Sequence, residues 1–304
     1  LREGGITKPI LILGYTSHEY AKVLADNDIT QTLVDESHAL ELNEAAKAAN
    51  VTVKGHIKLD TGMSRAGLFA QGHDAAMKAA EAAERMSKLS NVKVTGMYTH
   101  FCVADTPDQD EFTAWQLENY KTVMNYLTEK GLRPETCHTS NSAGILYHPE
   151  TQIDMVREGV ILYGMYPDSM PQYGPLKPVM TLKSHVSQVR DFTATTNATG
   201  VIYNCTNWVS LRAEANKSSK RVAKLTPNTT VTINGVRYPQ AGRICMDMCM
   251  VLADKDKVKR GDEVTLIGGN SISWEDAAQK VGTINYELTC LVTNRVPRVY
   301  INED

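Results

Sequence analysis

His56-Ile57-Lys58-Leu59-Asp60-Thr61-Gly62-Met63-Ser64-Arg65-Ala66-Gly67 is the stretch on which the reading of this chain turns. It opens as a buried-looking strand, Val53 to Leu59, and ends in a turn framed by Gly62 and Gly67. Lys58 and Asp60 fall on or just after the strand and Arg65 on the turn. In an α/β chain, polar groups at the carboxyl end of a parallel strand build sites, because loops there vary while the strand stays fixed. The plain alternative is a buried Lys58–Asp60 ion pair beside a solvated Arg65. The stretch alone leaves these two readings balanced.

Outward from it, strand and helix alternate. Before it stand an apolar strand, Pro9 to Leu13, stopped by Gly14, a short helix from Ser17 to Asp26, and a strand from Gln31 to Val34. Asp35 or Ser37 caps a helix running to about Asn50. After it come an alanine-rich helix, Asp74 to Leu89, a strand, Val92 to His100, and an amphipathic helix, Asp110 to Lys130, ended by Gly131. Thr136 to Ser140 reads as a strand, Ser142 to Tyr147 as a helix and Ile153 to Val156 as a further strand. Such alternation predicts a parallel sheet, either a (β/α)8 barrel or an open doubly wound sheet. No Gly-x-Gly-x-x-Gly turn follows a strand, which argues against a dinucleotide fold.

The pattern changes after Pro167. Prolines 167, 171, 175 and 178 mark a linker, so the domains are predicted to span residues 1–170 and 171–304. Beyond it strands dominate. Val179 to Phe192 alternates, Thr229 to Ile233 and Val236 to Tyr238 flank the hairpin signal Asn234-Gly235, and Arg243 to Leu252 reads as another strand. Val264 to Ile267 is a strand ending at Gly268, Ser273 caps a helix to Lys280, Asn285 to Asn294 is helical, and Arg298 to Ile301 is a last strand. The expected fold class is α/β, a (β/α)8 barrel incomplete at its N-terminus, followed by a mostly β domain.

Bulk properties exclude several classes. The 304 residues are 42% apolar and 22% charged, as in a globular protein with a sizeable core. A net charge of -3 offers no basic field for nucleic acid or anionic lipid. No run approaches membrane-spanning length and no leader is visible, so a cytoplasmic location is expected. The six cysteines make no zinc pattern, since Cys245 and Cys249 lack a second pair or a nearby histidine, and no metal is expected. Leu1-Arg2-Glu3-Gly4-Gly5 reads as the last turn of a helix with its glycine stop, so sequence upstream of Leu1 is expected.

Four polar clusters fall just after strands of the first domain: Lys58-Asp60-Arg65, then His100, then His138 with Asn141-Ser142, then Arg157-Glu158-Gly159. Parallel strands would bring them to one face. Gly159-Val160 can offer backbone N–H groups to an anion, and with Ser142 nearby would make a phosphate cup. For Arg157 taken by itself, a salt bridge to Glu158 or Asp154 is the simpler reading.

Taken together, Lys58 to Arg65, Thr99-His100-Phe101, His138 with Asn141-Ser142, Arg157-Glu158-Gly159, Gly242 to Asp247, Thr283 to Glu287 and Arg295 to Arg298 resemble alanine racemase in order and spacing. The resemblance covers nearly the whole chain. It implies a pyridoxal 5'-phosphate enzyme, a head-to-tail homodimer acting on a small amino acid and supplying D-alanine for peptidoglycan. The serine/alanine racemases are also similar, so serine is the alternative substrate. By the same resemblance, His100 stacks on the cofactor ring and Arg157 faces its pyridine nitrogen. Asn141 accompanies Ser142, which holds the phosphate with the backbone of Gly159 and Val160 and with Tyr286. Arg65 bonds the phenolic oxygen, and Lys58 matches a lysine that is often carbamylated and then holds the arginine. Cys245, Met246 and Asp247 line the substrate end from the other subunit, with Arg243 at its entry.

Racemisation returns the Cα proton to the opposite face, so two bases must flank a planar intermediate. Neither family base is found here. No Val-Lys-Ala-Asp-Ala-Tyr-Gly-like run carries the lysine that forms the cofactor imine, and no Gly-Tyr-Ala-Asp-Gly run carries the tyrosine. No tyrosine at all lies between Tyr203 and Asn234. A truncated or degenerate non-catalytic homologue therefore stands beside the enzyme as an alternative.

Overall fold

The computed structural model describes residues 1–167, 174, 176–186, 209–212, 221–225, 230–241, 250–251, 253, 256–293 and 296–301. The chain divides into two compact units, Leu1–Gly159 with Ser169–Pro171, and Val160–Asp168 with Gln172–Asp304.

The first unit is built on strands β1 (Ile10–Ile12), β2 (Ile29–Leu33), β3 (Val53–Asp60), β4 (Leu68–Phe69), β5 (Val92–Tyr98) and β6 (Thr136–His138). All pair in parallel, in the order β1-β2-β3-β5-β6, with the short β4 added beside β3. Strands laid down in chain order without reversal leave no topological switch point, so the doubly wound alternative is excluded. Winding in one direction is how barrel staves are laid.

Helices α1 (Ala21–Asp26), α2 (Glu36–Ala48), α3 (His73–Ser87) and α4 (Asp110–Glu129) cover one face of this sheet. Asp35 starts α2 by accepting from the His38 N–H at 2.7 Å. The alanines of α3 let it lie close, and Ala76, Ala80 and Ala83 are fully buried against the sheet core. That core takes Leu33, Val53, Ile57, Leu59, Val92, Met97 and Cys137 from the strands.

The opposite face is polar. His56 and Lys58 alternate with Ile57 and Leu59 along β3, and all four are buried. Barrel interiors are usually filled by branched apolar side chains. Here Thr32, His56, Tyr98 and His138 join one another by hydrogen bonds and ring stacking. A bulge in β5 makes this possible. Gly55 pairs with Val94 but His56 pairs with Gly96, leaving Thr95 as an extra residue. Val92 and Val94 therefore pack on the helix side, while Gly96 and Tyr98 meet the histidines.

Three details refine the sequence reading. Residues 1–6 make the two hydrogen bonds of a helix C-terminus, Gly5 N–H to Arg2 O at 3.0 Å and Ile6 N–H to Leu1 O at 3.2 Å, with Gly5 at φ +84°. The expected strand Ile153 to Val156 is instead an irregular segment beside β6. Its Asp154 N–H bonds Cys137 O, the following Arg157 N–H bonds Ser140 O, and the Asp154 carboxylate turns back to the Cys137 N–H and to Arg133. Helix α5 (Ser142–Tyr147) forms as expected, capped by Asn141.

In the second unit, β7 (Leu182–His185), β10 (Thr230–Ile233), β11 (Val236–Ala241), β12 (Met250–Val251) and β13 (Glu263–Ile267) form an antiparallel sheet in the order β12-β11-β10-β13-β7. The strands β8 (Val209–Arg212) and β9 (Arg221–Leu225) pair separately. Asn234 and Gly235 take φ of +48° and +79° in the two-residue turn between β10 and β11, the geometry their sequence predicts. Helix α6 (Trp274–Val281) is capped by Ser273 and stopped by left-handed Gly282, and α7 (Asn285–Cys290) is shorter than predicted. Trp274, Leu288, Val160, Met165 and Ile267 make its core. The expected strand Arg298 to Ile301 does not form. The Arg298 guanidinium instead bonds the carbonyls of Val292, Thr293 and Val296, holding this segment against the end of α7. Of the expected strand Val179 to Phe192, residues 187–192 lie outside the described residues, as do 243–249 and 252 of Arg243 to Leu252.

Candidate active site

The carboxyl ends of β3, β5 and β6 bring together Lys58, His100, His138 and Arg157. The turn after β3 is held by Asp60, whose Oδ1 accepts from the N–H groups of Gly62 (3.2 Å) and Ser64 (2.9 Å) and from Gln71 Nε2 (3.3 Å). Asp60 thus serves the turn, and the simple Lys58–Asp60 ion pair is not what organises this stretch. Gly67 is required where the chain returns. Its φ is +118°, and a Cβ there would lie 2.8 Å from the Lys58 carbonyl oxygen. Arg65 is exposed on this turn, with no hydrogen-bond or ionic partner among the described residues.

Arg157 is held from several sides. Its Nη2 donates to Thr99 O (2.7 Å) and Thr139 O (2.9 Å). Its Nη1 donates to His138 Nδ1 (2.7 Å) and His138 O (3.3 Å). The expected salt bridge to Glu158 or Asp154 does not form, and Asp154 pairs instead with Arg133 at 2.7 Å. Burial lowers the Arg157 pKa to about 10. It remains a cation at neutral pH, with its Nε–H as the donor not used by these bonds.

The guanidinium also fixes the histidines. It can only donate, so His138 Nδ1 is an acceptor and the ring proton sits on Nε2. That proton goes to His56 Nδ1 at 3.0 Å, so His56 carries its own on Nε2. Burial, aided by Arg157 and then His56, pushes the His138 pKa down to about 2. Burial takes His56 to about 4. Tyr98 stacks on His138 at 4.8 Å and 10° between planes. Its ring faces Arg157 Cζ at 5.1 Å and Lys58 Nζ at 5.9 Å, and its hydroxyl bonds Leu13 O and Thr32.

Positive charge outweighs negative here. The Lys58 pKa is lowered by burial, then by Arg65, with Asp60 opposing and Arg157 adding to the fall. His100 is pushed to about 4 by burial, then by Arg157, Arg65 and Lys58. The site is therefore a cationic pocket lined by neutral imidazoles. Further along, Ser142 Oγ accepts from the Gly159 N–H at 2.9 Å. A Cβ on Gly159 would come within 3.2 Å of that oxygen, so glycine keeps the cup open. Asn141 Oδ1 caps α5 through the Gly144 N–H at 3.0 Å, and its Nδ2 donates to Phe101 O.

A family model described as "Alanine racemase, N-terminal domain" matches residues 1–167, and one described as "Alanine racemase, C-terminal domain" matches residues 219–300. The chain belongs to the alanine racemase family. Its relatives include the alanine racemase of Methanococcus maripaludis, 38% identical over 318 residues that cover 99% of this chain and 81% of that protein. That of Desulfovibrio desulfuricans is also 38% identical, over 99% of this chain and 80% of its own. Among solved structures, alanine racemase of Clostridium difficile superposes with a TM-score of 0.80 at 36% identity, covering 99% of this chain and 77% of that one. The partial barrel followed by a mostly β domain is the alanine racemase architecture.

The residues present suit a flat, anionic heteroaromatic group such as pyridoxal phosphate. Arg157 has no carboxylate partner among the described residues, a neutral His100 can stack on a ring, and an anion would offset three positive side chains. Tyr286 and Val160 belong to the second unit, where Val160 is buried and Tyr286 packs beside the same core. Arg243, Cys245, Met246 and Asp247 lie outside the described residues. Sequence reasoning in this racemase fold missed His56, Thr32, Gly96 and the stacking role of Tyr98. The available signal was the run of polar residues at alternate positions of an otherwise apolar β3.

Proposed function

We propose that this protein interconverts L- and D-alanine with pyridoxal 5'-phosphate, in the cytoplasm and as a homodimer, supplying D-alanine for peptidoglycan. The observation that carries the reading is a buried arginine fixed by neutral acceptors. Arg157 is bound to carbonyls and an imidazole, and among the described residues no carboxylate pairs with it. When bound, pyridoxal phosphate would supply the electron sink that acidifies the amino-acid Cα proton. Arg157 would face the ring nitrogen, and because it does not give up a proton the nitrogen would remain an acceptor. His100 would stack on the ring. Arg65 would hold the phenolic oxygen, with Lys58 behind it. Ser142, the backbone of Gly159 and Val160, and Tyr286 would hold the phosphate, with Asn141 keeping α5 in place. Cys245, Met246 and Asp247 would line the substrate end from the partner subunit. No helix among the described residues is long and apolar enough to cross a membrane.

One observation favours a second reading, a cofactor-binding homologue without racemase activity. The chain carries no tyrosine between Tyr203 and Asn234, the interval in which the resemblance places the second base. The deciding experiment is a pyridoxal phosphate titration followed by absorbance, with chiral chromatography of alanine and, in parallel, serine. Binding with alanine turnover supports the enzyme. Binding without turnover selects the second reading, and absence of binding overturns both.

A further inference from the structure

Gln116 sits in α4, fully buried, beneath the loops that carry Arg65 and His100. Its Oε1 accepts from the Cys102 N–H at 3.2 Å, so the amide orientation is fixed and Nε2 is the donor end. That Nε2 donates to Thr61 Oγ1 and to His100 O, both at 3.3 Å. Thr99 Oγ1 gives its one proton to Leu59 O at 3.1 Å, so in the 2.7 Å contact between the two hydroxyls Thr61 Oγ1 is the donor. The chain of donors runs one way, from α4 through the end of β3 to the end of β5 and back. Cys102 Sγ closes it against Gln116 Oε1 at 3.4 Å and Gly62 O at 3.7 Å. Gly62 is packed on the same amide, since a Cβ there would lie 3.0 Å from Gln116 Cδ.

We infer that Gln116 is a positioning residue, bracing the Arg65 turn and the His100 loop at a fixed separation so that both address one bound group. An amide is needed for this. Glutamate has the shape but cannot donate to Thr61 and His100 O, and methionine can neither donate nor accept at normal strength. This inference rests on the pyridoxal phosphate reading for the identity of the group, but not for the brace itself.

The test uses the full chain with Gln116→Met, Gln116→Glu and, as the gentler variant, Thr61→Val, which keeps the shape and removes the middle hydroxyl. Two readouts are taken, the Kd for pyridoxal phosphate and the rate at which iodoacetamide labels Cys102, followed by peptide mass spectrometry. Each variant is expected to weaken pyridoxal phosphate binding about tenfold, the scale of one buried hydrogen bond to a neutral partner. That loss should shrink below about threefold when Arg65→Ala and His100→Ala are already present, because Gln116 acts through them. Cys102 should label about tenfold faster once the loop is released. An unchanged Kd, an undiminished loss in the double-alanine background, or an unchanged labelling rate would overturn the brace. If the unaltered protein binds no pyridoxal phosphate, the functional reading fails by itself. Cys102 labelling then decides the inference, faster reaction supporting the brace and an unchanged rate overturning it.

Discussion

Arg157 donates to three carbonyl oxygens and one imidazole nitrogen, and no carboxylate among the described residues pairs with it. From the sequence, Glu158 and Asp154 were the candidate partners. Side-chain direction decides otherwise, and no spacing rule carries that information. A lysine keeps the charge but not the fork. Arg157→Lys is therefore expected to lose about 2 kcal/mol of stability by leaving buried acceptors unpaired, measured by urea unfolding. The histidines held by this fork make stability depend on pH. His56 and His138 have native pKa values of about 4 and about 2, below the ordinary 6.5. The unfolded chain then binds protons that the native one does not, so stability is intact above pH 6.5 and falls as pH drops from there. The limiting slope is about 1.4 kcal/mol per pH unit for each histidine. His56→Asn keeps an acceptor for His138 and cannot titrate. Melting curves between pH 7 and pH 4 (about the span of the His56 shift) should be flatter for that variant than for the parent.

At the scale of elements, most of the first unit was legible. Alternation of apolar strands with helices gave its order, and Asp35 caps α2 as its position predicts, as Ser273 does for α6 in the second unit. The β5 bulge was not legible. Val92, Val94, Gly96 and Tyr98 share one parity, and only the extra Thr95 puts the last two on the other face. Gly96 shows the consequence in packing, since a Cβ there would fall 2.3 Å from the His56 ring. Gly96→Ala should therefore displace His56 and cost about 1–3 kcal/mol as overpacking. The same substitution combined with His56→Ala should recover most of that loss in chemical denaturation. The segment Ile153 to Val156 shows the converse error. Its residues suit a strand, but the Asp154 side chain takes the bonding place that a strand backbone would use.

For the molecule as a whole, the order of an α/β unit and a mostly β unit was readable from the change of pattern at Pro167. The contact boundary at Gly159–Val160 was not, because Val160 and Met165 look like more of the first unit until their packing with Trp274 and Leu288 is seen. A chain with net charge -3 gathers Lys58, Arg65 and Arg157 at one place. Anion association should thus weaken as salt rises, since charges are screened beyond about 8 Å at physiological ionic strength. Stopped-flow binding of pyridoxal phosphate across a salt series measures this. At one hundred times its Kd, pyridoxal phosphate should stabilise the native state by about 2.7 kcal/mol, readable by calorimetry.

The extra residue in β5 also sets where the gene can gain or lose a codon. Deleting Thr95 removes the one position its partner strand does not use, so Val94 and Gly96 still face their present neighbours and the protein should express in folded form. Deleting any single residue between Val53 and Lys58 has no such slack and would exchange inward and outward sets along part of β3. A one-residue deletion is therefore expected to be tolerated at Thr95 and not within β3.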